Sequence, residues 1–232
     1  MENSDCINQA RREILINKDF NKALAILDEF KEKGELFYNT LGLAYLEIGN
    51  YTRAAEIYKH IGEKYPAGFC ELLLGHEKEA KALWESAPDS PPCTWGRALL
   101  DYINLGRGPV PTFLQIRNHL EVDMGYFIQA NKHVYVENLM KCDDIFISIN
   151  FESYKLIGRV LLNYGYLNLA KSYFIKSIGI LPEDAEGFYY LGLCLYQAGL
   201  YKECRESLER ALGNNPSHLP SRRMLERLKV VQ

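Results

Sequence analysis

Five histidines (His60, His76, His119, His133 and His218) and six cysteines (Cys6, Cys70, Cys93, Cys142, Cys194 and Cys204) are the first candidates for chemistry in this 232-residue chain. A nucleophile needs a base within hydrogen-bond reach, and zinc needs Cys or His at short, regular spacing. Neither pattern is present. The cysteines are scattered without a C-x-x-C, so they read as small buried hydrophobes in a reducing compartment, the Cys194 and Cys204 pair included. His76-Glu77 opens like the zinc-protease motif, but Ala80 stands where the second histidine must fall. Gly106-Arg-Gly-Pro is glycine-rich yet lacks the Lys-Ser/Thr that reaches a phosphate, so it reads as a helix-breaking turn. Asp143 and Asp144 are adjacent, and on a helix neighbouring carboxylates point about 100° apart rather than at a common proton. His119, His133, Cys142, Asp143 and Asp144 share one irregular stretch, where surface or capping roles are expected of them. No catalytic residue, cofactor-binding residue or metal ligand is assigned, no cofactor is expected, and the chain is read as not an enzyme.

The elements that would position any site follow from an internal repeat. Tyr38, Leu41, Gly42, Tyr45, Gly49, Tyr51, Ala54, Tyr58 and Pro66 form one row. Tyr154, Ile157, Gly158, Leu161, Gly165, Leu167, Ala170, Phe174 and Pro182 repeat its offsets, and so do Phe188, Leu191, Gly192, Leu195, Gly199, Tyr201, Cys204, Leu208 and Pro216. The second and third rows differ by 34 at every position. Within each row, apolar residues recur at three and four, which is helical periodicity. A tight turn at Gly49-Asn50 separates two helices, and Pro66 is expected to end the second. Gly42 and Ala54 are read as the small residues that let the two helices approach, with tyrosines filling the wider gaps.

These rows resemble the tetratricopeptide repeat, with its aromatic, Leu-Gly, Tyr, Ala, Phe and Pro slots at a 34-residue period. The resemblance implies an all-α fold: a right-handed superhelical solenoid of antiparallel helix hairpins, about seven of them, plus a capping helix at the C-terminus. Residues 1–232 are read as a single solenoid. Its clear repeats are 35–66, 151–182 and 185–216, and 4–34 is an atypical first hairpin with Ala10-Arg11 in place of Leu-Gly. Residues 67–150 divide into irregular, shortened hairpins: 67–86, one from Trp95 through a helix at 112–122, and a third over about 124–150. Residues 217–231 make the cap, apolar through Leu219, Met224, Leu225 and Leu228 and basic through Arg222, Arg223, Arg227 and Lys229.

Composition narrows the function. With 47% hydrophobic and 25% charged residues the chain has the make-up of a folded protein, and a net charge of -3 gives a polyanion no general attraction. No apolar run approaches the ~18 residues of a membrane helix. The acidic start, MENSDCINQARREIL, does not resemble a signal peptide, so the chain is read as cytoplasmic.

In proteins of the resembling family the first helices line a groove that takes a peptide or a partner helix. On this chain those positions are Asn39, Leu43, Glu47, Lys155, Arg159, Asn163, Tyr189, Leu193, Tyr196 and Gln197, with Asn8 and Arg12 in the atypical hairpin. Lys155 and Arg159 beside Tyr189 and Tyr196 suit an acidic segment, since charged hydrogen bonds fix a carboxylate while rings supply apolar area. The same residues equally suit an ordinary solvated helix face with tyrosines as packing. A carboxylate clamp of the chaperone-binding kind does not fit, because Arg159 and Tyr190 stand where asparagines are wanted. The reading is therefore a non-catalytic protein-protein interaction scaffold. A helical-repeat nucleic-acid binder and a self-assembling structural protein are the alternatives; nucleic acid is disfavoured by charge, membrane insertion is not expected, and a homo-oligomer is not indicated.

Overall fold

In the computed structural model every described element is helical, and the described residues are 2–30 and 33–230, with side chains placed for 5–30 and 33–228. The chain divides into two compact units, Met1–Val110 with Gln129–Lys132, and Pro111–Ile128 with His133–Gln232. In the first unit α1 (Glu2–Arg12) continues through a π-helical turn (Glu13–Asn17) and pairs with α2 (Phe20–Asp28). There follow the pairs α3 (Glu35–Ile48) with α4 (Tyr51–His60) and α5 (Lys64–Leu74) with α6 (Glu77–Glu85), and α7 (Pro91–Ile103) packs on both α5 and α6.

The second unit begins with α8 (Phe113–Gln115), a π-helical turn (Ile116–Leu120) and α9 (Glu121–Gln129), which run end to end. Next come α10 (His133–Lys141) and α11 (Asp143–Ile149). The pairs α12 (Ser153–Asn163) with α13 (Leu167–Ile180) and α14 (Ala185–Gln197) with α15 (Tyr201–Asn214) follow, and α16 (Leu219–Val230) packs on α15. Packing runs between sequence neighbours, the pattern of a helical solenoid, because no single helix can bury its apolar face alone.

The pairs α3–α4, α12–α13 and α14–α15 lie within residues 35–66, 151–182 and 185–216, and α16 lies within 217–231. Residues 31 and 32 of the first hairpin and residue 231 of the cap lie outside the described residues. In the atypical hairpin Ala10 substitutes for the missing Leu-Gly, fully buried with Ile7, Leu27 and Phe37.

Two expectations change. Pro66 does not end α4, which stops at His60 before Gly62; Pro66 instead lies in the first turn of α5, where its missing N–H has no helical acceptor to lose. The helix expected at 112–122 does not end before a further hairpin starts at about 124 either. Thr112 caps the start, its hydroxyl accepting from the Gln115 N–H and Gln115 answering at the Thr112 N–H, and helix then continues to Gln129. With no glycine or proline between Phe113 and Met124, nothing breaks it at Val122.

The contact within each hairpin also differs from the expected Gly42 and Ala54 approach. A Cβ on Gly42 would meet the Tyr58 ring at 2.8 Å, on Gly158 the Phe174 ring at 2.7 Å, on Gly192 the Leu208 side chain at 2.9 Å, and on Gly68 the Trp84 indole at 2.4 Å. In all four the large partner lies 16 residues after the glycine. The first-helix glycine is thus a socket for a large residue of the second helix, and the compressed hairpin α5–α6 obeys the rule, keeping Gly75, Ala80 and Pro92 at the Gly49, Ala54 and Pro66 offsets although Lys64, Ala67, Glu71 and Glu77 replace the other signature residues. One test compares two sockets. Gly→Ala gains about 0.5–1 kcal/mol of helix propensity, but a flat ring cannot swing aside as a leucine end can. Gly158→Ala is therefore expected to lower stability by roughly 1–2 kcal/mol in urea unfolding while Gly192→Ala changes it by less than about 0.5. Equal effects would remove the distinction.

Between α5 and its neighbours the buried carboxylate of Glu71 accepts from the Lys59 ammonium and lies 2.7 Å from His76 Nδ1. Burial pushes this carboxyl up, and the bonds to Lys59 and His76 outweigh it and hold it below the ordinary value.

Candidate functional site

On α12 the sequence places Lys155 and Arg159 one turn apart, and the tertiary structure gives both of them partners. Lys155 is 5% exposed. Its Nζ lies 2.9 Å from Asp184 Oδ2, 2.8 Å from Glu186 Oε2 and 3.1 Å from Glu152 Oε1. Burial would lower its pKa, but the bonds to Glu186 and Asp184 raise it above the ordinary lysine value. Asp184 is held in place as the cap of α14, accepting from the Glu186 N–H at 3.0 Å. Arg159 Nε is 3.2 Å from Glu121 Oε1 of α9, and its guanidinium lies 5.2 Å from the centre of the Tyr190 ring, which itself stacks on Phe174. Burial pushes the Glu121 carboxyl up, against the pull of Arg159.

These contacts correct the expected role of the pair. A buried ammonium already shared by three carboxylates has no free valence for a partner's carboxylate, and Arg159 is committed to Glu121 and Tyr190. Among the described residues Glu121, Glu152, Asp184 and Glu186 form ion pairs only with these two cations, which leaves two negative charges unneutralised at this surface.

The remaining groove residues are placed variously. Asn163 and Gln197 are exposed at the ends of α12 and α14. Tyr189, Leu193 and Tyr196 are half-buried against a cluster that includes Met224 and Leu228 of α16, with Tyr189 edge-on to His218 at 5.5 Å and Tyr196 5.6 Å from Tyr201. The aromatic positions thus serve largely to seat the cap. In the first unit Leu43 packs against Ile14, Ala23 and Ala44, Glu47 pairs with Lys18 at 3.0 Å, and Asn39 is half-buried. Asn8 and Arg12 are exposed on α1.

Sequence reasoning missed Glu121, Asp184, Glu186 and the part played by Tyr190. The Asp184-x-Glu186 start of α14 carried a capping signal, but nothing local shows that it reaches Lys155 some thirty residues earlier. Asp143, grouped in sequence with His119, His133 and Cys142, takes a different set of partners. It is buried and accepts from Tyr173 Oη and Lys176 Nζ, each at 2.9 Å, while Lys176 lies 5.0 Å from the Tyr154 ring and 4.8 Å from the Tyr173 ring. His133 Nδ1 instead lies 3.5 Å from Tyr166 Oη, and burial lowers the pKa of His119. Among the described residues no group of three or more His, Cys, Asp or Glu could hold a metal, and the six cysteines are free, Cys194 donating to the Leu167 carbonyl. No helix among them is long and apolar enough to cross a membrane.

No curated protein matches the chain in sequence. Among solved structures it is similar to YrrB, described as a TPR protein with an unusual peptide-binding site, at 20% identity over 90% of this chain and 98% of that one, with a TM-score of 0.37. It is similar also to a thermophilic TPR protein of Thermus thermophilus, at 16% identity over 85% and 100% of the two chains, TM-score 0.39. A third, from the APC/C hetero-tetramer Cut9–Hcn1, gives 12% identity over 90% of this chain and 46% of that one, TM-score 0.43. The tetratricopeptide-repeat family matches residues 40–68 and 185–218. Those segments fall on hairpins α3–α4 and α14–α15, two of the three rows that repeat the same nine offsets, and the chain carries tetratricopeptide repeats there.

Proposed function

We propose that the chain is a non-catalytic cytoplasmic scaffold, and that its second unit binds an extended peptide or a helix of a partner protein on the face formed by α12 and α14. The observation that supports this most is electrostatic. Four carboxylates surround two saturated cations there, so the segment that complements the face is basic rather than acidic. Exposed Asn163 and Gln197 supply neutral hydrogen-bonding groups at the other ends of α12 and α14, about 12 and 16 Å along the helices from Lys155 and Glu186. Taking 1–232 as one solenoid of stacked hairpins belongs to the same proposal, since stacked repeats present extended surfaces rather than enclosed sites.

The test is capture of partners from the protein's own cell extract, quantified by mass spectrometry, with wild type and the Asn163→Lys, Gln197→Lys double variant. Both positions are exposed, so the fold is kept. The expected result is a partner, basic in the segment that contacts this chain, that wild type retains and the variant loses, with retention falling as salt rises because rim charges act through screened attraction. Identical capture by the two proteins, or an acidic binding segment, sinks the proposal.

A further inference from the structure

The second helices α2 and α10 are nine residues long, against fourteen in α13 and α15. α6 is nine residues long as well, so length alone does not set them apart, but a crevice opens beside α2 in the first unit and beside α10 in the second. In the first it is a cavity of about 400 Å³ lined by Leu24, Tyr38, Leu41 and Tyr45 among others. In the second it is a pair of adjoining cavities, about 200 and about 540 Å³, that share Glu137, Met140 and Leu169. A shift of 116 residues carries Leu24 onto Met140 and Tyr45 onto Leu161, so the two crevices occupy the same site in the repeat.

The crevice of the second unit carries a defined chemistry. Its smaller cavity is walled by Val136, Met140, Leu161 and Leu169, the last 45% exposed. Glu137 stands exposed at the margin of that apolar wall, and it has no ion-pair or hydrogen-bond partner among the described residues. The two ammonium groups that line the larger cavity with it are engaged elsewhere: Lys141 turns to the side-chain carbonyl of Asn138 at 3.1 Å, and Lys176 is held by Asp143 between two tyrosine rings. A carboxylate beside apolar surface pairs more strongly than one surrounded by water. An apolar cavity of about 150 Å³ takes up benzene, so about 200 Å³ accommodates one large side chain.

We propose that this crevice between α10 and α13 docks a segment of a partner protein that carries an aliphatic or aromatic anchor and a Lys or Arg within one helical turn of it. The anchor fills the smaller cavity and the cation meets Glu137. This surface is separate from the α12–α14 face, and each is tested by its own variants.

The probe is a random twelve-residue peptide library displayed against the whole chain, followed by a fluorescein-labelled copy of the most enriched peptide in anisotropy titrations. The expected enrichment is an apolar residue with Lys or Arg three or four positions away. Glu137→Lys and Leu169→Glu, both at exposed positions, should each weaken the labelled peptide at least about tenfold, whereas the Asn163→Lys, Gln197→Lys variant leaves its affinity unchanged. Circular dichroism establishes that all variants are folded. The proposal is overturned if no peptide is enriched, if the enriched peptides lack a basic residue, or if binding survives both crevice substitutions. It is overturned equally if sedimentation shows wild type self-associating in a manner that Leu169→Glu abolishes, which would give the crevice to a second copy of this chain.

Discussion

Trp84→Ala should lower the stability of the first unit by roughly 3–5 kcal/mol, the largest loss expected of any core truncation in this protein. Trp84 is fully buried, and its indole lies between two glycines: a Cβ on Gly68 would sit 2.4 Å from Nε1, and one on Gly96 2.5 Å from the ring. Its Nε1–H donates to the Tyr65 carbonyl at 3.2 Å, with the Tyr65 ring stacked at 6.2 Å, and Arg97 donates to the Trp84 carbonyl at 2.9 Å. The indole therefore joins α5, α6 and α7, and its removal leaves a large hole between backbones too rigid to close. Urea unfolding followed by circular dichroism measures the loss, and one below about 1 kcal/mol would show that the three helices are held by something else. The socket adds a second reading. Gly68→Ala in the wild-type background should cost about 1–3 kcal/mol from overpacking, and in the Trp84→Ala background the same methyl should cost little or stabilise. A coupling of at least about 1 kcal/mol is expected from this cycle, and additive effects would disprove the contact.

Lys155→Ala should cost the second unit about 3 kcal/mol, at the lower end of the range for breaking a buried ion pair. The lower end applies because Glu186 and Glu152 are 46% and 34% exposed and can turn to water once the ammonium is gone, whereas Asp184 is only 18% exposed and pinned as a helix cap. The pH dependence carries a sign. The folded pKa of Lys155 is raised above the ordinary lysine value of 10.5, so the stability it contributes is fully present below that value and is lost only as pH rises through the folded pKa. The gap between wild type and Lys155→Ala should therefore stay constant from about pH 7 to 9 and narrow only in stronger alkali. A gap that closes between those two values would mean that the ammonium is not what holds α12 to the start of α14. Because the substitution acts on the fold, partner binding lost with Lys155→Ala would say nothing about a groove; the exposed Asn163 and Gln197 serve that purpose instead.

Much of the architecture was legible along the chain. Nine offsets repeated three times place α3–α4, α12–α13 and α14–α15, since a repeated apolar pattern encodes a repeated burial and turn residues mark where it stops. The glycine sockets were also written there, as a large residue 16 positions after Gly42, Gly68, Gly158 and Gly192. They escaped notice because small residues suggest close helix approach, when here the space belongs to a ring or a leucine. The stretch from 112 to 150 was harder, because with no breaker after Phe113 periodicity alone does not say where one helix ends and the next hairpin begins.

Local spacing along the chain is enough to specify the helical-repeat fold and to show that no recognisable catalytic motif is written in it. The sign of the candidate surface, by contrast, emerges only when the helices are packed. Lys155 and Arg159 look like open cations in a linear reading, because all but Glu152 of the carboxylates that neutralise them arrive from α9 and from the start of α14, about thirty residues or more away. Electrostatics sums over neighbours in space, and helical periodicity records only neighbours on one element. For the same reason the unpaired Glu137 and the crevice beside it became visible only once α10 was seen packed beside Leu161 of α12 and Leu169 of α13.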